Sequence, residues 1–188
     1  MSASAASHRP TITMAKMADS RVETILAGNM GIYQATIRWR RSTEETFTDG
    51  RYSRAHEWLF DGSASVRASA SPLTVPLPFS DPSGVDPEEA LVAALSSCHM
   101  LFFLSFAAKE GFVVASYLDC AVGILDKTPE GKEWMAKVTL RPCVVFEGER
   151  RPTAGEVESL HRRSHDACYV ANSVRSEIQV DGKAEGIQ

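Results

Sequence analysis

The chain has 188 residues, 44% hydrophobic and 23% charged, with a net charge of −4 and no basic block. That describes a globular domain with a core of its own, and it speaks against a nucleic-acid partner. Four cysteines without dense spacing speak against a secreted disulfide scaffold.

Residues 1–22 lack the continuous apolar run of a signal peptide and carry Arg9, Lys16 and Arg21. They read as a flexible extension before a single domain over residues 23–181, with residues 182–188 as a tail, in a cytoplasmic protein. Gly31–Arg40 alternates Tyr33, Ala35, Ile37 and Trp39 against Gln34, Thr36, Arg38 and Arg40, the pattern of a strand with one covered face. A charged loop over residues 41–50 leads to a second strand, Tyr52–Phe60. There Arg54, His56, Trp58 and Phe60 share a face. The turn Asp61-Gly62 and a third strand, Ser65–Ser71, complete an N-terminal antiparallel meander. Pro72, Pro76, Pro78 and Pro82 then mark an irregular crossover.

Asp86, Pro87 and Glu89 form the capping-box start of a helix that runs to Lys109. From Ala90 to Ala108 no residue is formally charged, which is enough length to span a bilayer. Ser96, Ser97, His99 and Ser105, with amphipathic strands on both sides that need cover, favour a buried central helix instead. After Gly111 come two long strands, Val113–Asp126 and Lys132–Glu147, joined by a hairpin loop. The second places Trp134, Ala136, Val138, Leu140, Val144 and Phe146 on one face. Thr153 and Glu156 cap a second helix ending near Ala167, and Val174–Val180 is a closing strand. The order is that of an α+β fold.

Cys120, with Leu118, Val122 and Ile124 on its face, reads as a small core residue. Cys98 lies in the middle of the apolar helix. Cys168 ends the second helix on one stripe with His161 and His165; Val157 and Leu160 lie beside that stripe, which is expected to face inward, and a thiol near imidazoles can be held partly as thiolate, its reactive form.

The stretch VDPEEALVAALSSCHM resembles the central-helix motif of the OsmC/Ohr family (osmotically induced and organic hydroperoxide resistance proteins), in a less characterised OsmC-like branch. Pro87, Glu88 and Cys98 match its Pro-Glu start and following Cys. His165, Cys168, Asn172 and Ser173 match a second family motif, and the resemblance covers about residues 31–181. Two departures stand out. Tyr169 follows Cys168 where active peroxidases carry Pro, and Ser97 and His99 flank Cys98 in place of small and aromatic residues.

The resemblance implies an OsmC-like intertwined homodimer and a thiol peroxidase without metal or flavin. Cys98 would attack an organic or lipid hydroperoxide, leaving a sulfenic acid. Cys168 would resolve it as a Cys98–Cys168 disulfide, and an external dithiol, such as a lipoyl protein, would restore both thiols. Glu88 matches the family's orienting glutamate. The family's arginine falls on Arg54, with Arg51 as the alternative. A guanidinium is needed because an apolar surround raises a thiol pKa that already starts near about 8.5.

Glu88 and Cys98 are ten residues apart, about 15 Å along a helix and roughly 80° around it. They meet only if the helix bends or a second subunit supplies one of them. The intertwined homodimer that the resemblance implies offers the second solution, with Glu88 and the arginine expected from one chain and both cysteines from the other. Two rival readings remain: zinc held by Cys98, His99, His161, His165 and Cys168, and a non-catalytic protein binding an apolar ligand around Cys98. In the zinc reading, a solvated helix face is the simpler account of His161.

Overall fold

The computed structural model describes residues 31–188, so the expected extension over residues 1–22 lies outside the described residues. The meander forms as β1 (Ala35–Arg38), β2 (His56–Phe60) and β3 (Ser65–Ala68), antiparallel and in that order. Each strand is shorter than the alternation suggested, because the flanking residues bond to loops instead. The Trp39 indole donates to the carbonyl of Ser53 at 2.8 Å, and the Arg54 peptide N–H donates to Phe79 at 2.8 Å. Arg54 therefore precedes β2 and does not share a strand face with His56, Trp58 and Phe60.

α1 (Pro87–Lys109) has the bounds the capping signals gave. The Asp86 carboxylate accepts the Glu89 N–H at 2.7 Å, while the Glu89 carboxylate accepts the Asp86 N–H at 3.2 Å. Gly111, at φ +78°, lets the chain leave the helix. The helix is long and apolar enough to cross a membrane by length and composition. It buries one stripe, Leu95, His99, Phe103 and Ala107, against the strands and second helix of its own chain. Its other side is uncovered in a single chain, with Leu101 61% exposed, so the helix is central but not enclosed.

The two long strands each divide. β4 (Val113–Asp119) and β5 (Val122–Lys127) replace the first, and β6 (Glu133–Leu140) and β7 (Pro142–Glu147) replace the second. The chain bends where Pro142 has no N–H to donate and the Asp119 side chain takes the Arg141 N–H at 2.6 Å. Val138, Leu140, Val144 and Phe146 are buried across the bend, but a bulge in the pairing of β5 with β6 shifts the register, so that Met135 rather than Trp134 or Ala136 packs on the core beside Val138 and Leu140. α2 (Ala154–Ala167) follows the Thr153–Glu156 box, and a short 3₁₀ turn, Ala171–Ser173, leads into β8 (Glu177–Val180). Beyond Asp181, where a tail was expected, β9 (Lys183–Glu185) pairs parallel with β7. The two further sheets run β4-β7-β9 and β5-β6-β8, antiparallel within each hairpin pair and parallel where β8 and β9 join. The fold is α+β. One cluster, around Phe103, Phe146, Val157 and Leu160, sits between α1, α2 and β7. A second, around Leu95, Val138 and Leu140, sits under α1 and β6.

Candidate active site

α1 and α2 carry the two candidate sulfurs. Cys98 is half-buried, one residue off the inward stripe of α1. It lines an open recess of about 430 Å³ with Ala94, Ser97, Leu101, Phe102, Ser105 and Tyr169. No formally charged side chain lines that recess. The Tyr169 ring meets Phe102 edge-on at 5.3 Å and forms one wall.

Cys168 is the C-cap of α2 and only 1% exposed. Its sulfur accepts the Ala171 N–H at 3.3 Å, and the Cys98 side chain lies close enough to act on its ionisation. Burial, and after it the Cys98 side chain, push the Cys168 thiol well above the usual range, against the pull of the Ala171 peptide. Cys168 is thus a protonated thiol held against a more accessible one. The two cysteines that are 70 residues apart in sequence are neighbours in space.

Glu88 and Arg54 are not brought to the sulfurs within one chain. Glu88 lies near the start of α1 and lines a different cavity, of about 740 Å³, with Asp86, Ser96, Asp119 and Met135. The Arg54 guanidinium donates to the carbonyls of Gly50, at 2.7 Å, and Tyr52, and stacks 3.7 Å over the Tyr52 ring. Arg51 is exposed on the same loop.

The histidines hold the feature that sequence reasoning missed. His161 is buried at 8% exposure, not on a solvated face, and His99 is buried at 1%. His99 Nε2 and His161 Nδ1 share a hydrogen bond of 3.0 Å, with ring planes 13° apart. The His161 ring also packs on Phe103, 4.5 Å between centroids. Any Cβ at Gly182 would stand 2.7 Å from His161 Nε2, so the bare glycine backbone leaves the ring its place. Burial holds both imidazoles down to about 4. His161 and His165 add to the effect on His99, and Asp119 opposes it on His161. Placing His99 on the Leu95–Phe103–Ala107 stripe, at i+4 spacing, is the sequence signal that marks it as inward.

The ligands of the rival zinc reading do not converge. Among the described residues no three His, Cys, Asp or Glu side chains form a ligand set. Cys120 is exposed, not a core residue, and Cys143 is half-buried on β7.

Comparison with known proteins bears on this geometry. A family model described as OsmC-like protein matches residues 80–183. The OsmC-like protein of unknown function from Vibrio cholerae is 52% identical, covering 82% of this chain and 100% of its own, with a TM-score of 0.80. An organic hydroperoxide resistance protein from Legionella pneumophila shares the fold at 15% identity, covering 84% of this chain and 98% of its own, with a TM-score of 0.55. The organic hydroperoxide resistance protein of Bacillus subtilis does so at 13% identity, covering 84% and 100%, with a TM-score of 0.53. No curated protein matches the sequence.

Proposed function

The chain belongs to the OsmC-like family, and from that premise we propose that it is a cysteine peroxidase that reduces organic or lipid hydroperoxides. The observation that carries this reading is an accessible thiol in an apolar recess, Cys98, with a second, protonated thiol, Cys168, directly behind it. The recess suits the organic part of a hydroperoxide, and Cys98 supplies the nucleophile.

As thiolate, Cys98 attacks one peroxide oxygen and the O–O bond breaks. The alkoxide takes up a proton and leaves as an alcohol, and the sulfur is left as sulfenic acid. Cys168 then displaces the sulfenic oxygen, which leaves as water, and a Cys98–Cys168 disulfide remains. An external dithiol of the lipoyl type returns two electrons and two protons and becomes a disulfide itself. Attack needs a cation beside Cys98, both to favour the thiolate and to meet the charge developing on the departing oxygen. In this reading a second copy supplies it: Arg54 and Glu88 of one chain complete the site around the cysteines of the other. Supporting that assignment, the uncovered side of α1 and the exposed Ile37, Trp39 and Phe60 of the meander are apolar surface of the kind a subunit interface covers.

Cys98→Ser is expected to abolish turnover of cumene hydroperoxide, and Cys168→Ser to permit one oxidation of Cys98 and then stall. Stopped-flow thiol consumption with mass spectrometry of the products reads both. Wild-type turnover by Cys98→Ser would end the reading.

A further inference from the structure

The seam between α1 and α2 is packed mainly by apolar side chains: Phe103 and Ala107 from α1, Val157 and Leu160 from α2. Such contacts have no direction and tolerate sliding or rolling of one helix on the other. Two contacts are directional: at the far end of α1 Arg163 bonds to the Glu110 carboxylate and lies over the Phe106 ring, and beside the cysteines His99 bonds to His161. At 3.0 Å between ring nitrogens the histidine bond survives only within a narrow range of distance and angle, so it fixes both position and roll.

The pair is not placed where it would serve stability best. A neutral imidazole has one N–H and one bare nitrogen, so the shared bond uses one of each. Whichever ring donates, one N–H and one lone pair are left over. These are His99 Nδ1 and His161 Nε2, both buried without a partner. A buried polar pair with half its groups unsatisfied is no better for folding than an apolar pair of the same size.

Its location gives it another use. Cys98 immediately precedes His99, and Cys168 lies seven residues beyond His161, two turns along and back on nearly the same face of α2. We propose that the His99–His161 bond is a positioning device that sets α2 on α1 so that the Cys168 sulfur stands against Cys98. A disulfide forms only when the two Cα atoms come within about 4.4–6.8 Å, and a helix slipped by one turn, about 5.4 Å, puts them out of reach. This inference rests on the pairing of Cys98 with Cys168 as redox partners, and it does not depend on the nature of the oxidant.

The test uses the full chain with Cys120→Ser and Cys143→Ser, equilibrated with oxidised and reduced glutathione. Two protein thiols and one glutathione disulfide give one protein disulfide and two glutathione thiols. His99→Leu combined with His161→Leu is expected to melt at or above the parent temperature, while the equilibrium constant for the Cys98–Cys168 disulfide falls at least tenfold. His99→Gln with His161→Asn, whose amides reach the positions of Nε2 and Nδ1, is expected to restore the constant to within about threefold of the parent. A leucine pair that keeps the parent constant overturns the proposal. So does a leucine pair that melts lower or fails to fold, since the bond would then be serving stability. An amide pair that restores nothing overturns it as well. Turnover of cumene hydroperoxide by the parent is measured separately. If the parent forms the disulfide but turns over no peroxide, the peroxidase reading falls and the positioning role stands.

Discussion

His99 and His161 stay neutral inside the fold because a proton on either ring would be a charge among Phe103, Val157 and Leu160 with no acceptor for it. Unfolding removes that obstacle, and each ring then titrates near its ordinary value of about 6.5. Between about 4 and 6.5 the unfolded chain therefore binds more protons than the native one. The sign is fixed: stability is full above pH 6.5 and falls as the pH drops through this window. The slope is about 1.4 kcal/mol per pH unit for each proton taken up. Asp119 on β4 weakens the effect at His161, and His165 on α2 strengthens it at His99. Asp49, Asp81, Glu130 and Glu156 are held below their usual range by local hydrogen bonds, so their loss of stability begins only under about pH 4.5. Urea unfolding at pH 7, 6 and 5 is expected to show the decline in the wild type, and a much flatter profile with leucine at both positions.

At the scale of the element, α1 depends on its first turn, where Asp86 and Glu89 each satisfy the other's backbone N–H. Asp86→Ala removes half of that box and is expected to destabilise the protein by about 1 kcal/mol, up to about 2. Asp86→Asn, which can still accept from the Glu89 N–H, is expected to lose much less; denaturant midpoints compare the two. Caps of this kind are why the starts of both helices were legible in the sequence. Asp86 and Thr153 each stand three residues before a glutamate, and the signal is entirely local. The pairing of Cys98 with Cys168 was legible only through the resemblance. The division of the long hairpin at Asp119 and Arg141 was not, because the apolar alternation runs through the bend unbroken. Nor was β9: Lys183, Ala184 and Glu185 carry no strand pattern and become a strand because the edge of β7 is there to pair with. His161 fell to the same limit. Its own helix shows a polar residue at the end of a stripe, and only the opposing helix reveals that another imidazole waits there.

At the scale of the molecule, the proposed reading gives a single chain two half-sites. Cys98 lines a recess with no charged side chain and Cys168 is buried beside it, while Glu88 and Arg54 lie elsewhere. A two-fold dimer in which each meander lies against the partner's α1 would cover the apolar surface and complete two equivalent sites at once. That arrangement makes a prediction that a self-sufficient chain does not. Cys98→Ser and Arg54→Ala are each expected to be inactive alone, the second by at least tenfold. When equal amounts are unfolded together and refolded, half of the dimers are mixed. In each mixed dimer one site carries both substitutions, and the other draws an intact Cys98 from one chain and an intact Arg54 from the other. Turnover should return to about a quarter of the wild-type value. If the cysteine and its arginine served within one chain, every site in the mixture would still carry a defect, and no activity would return.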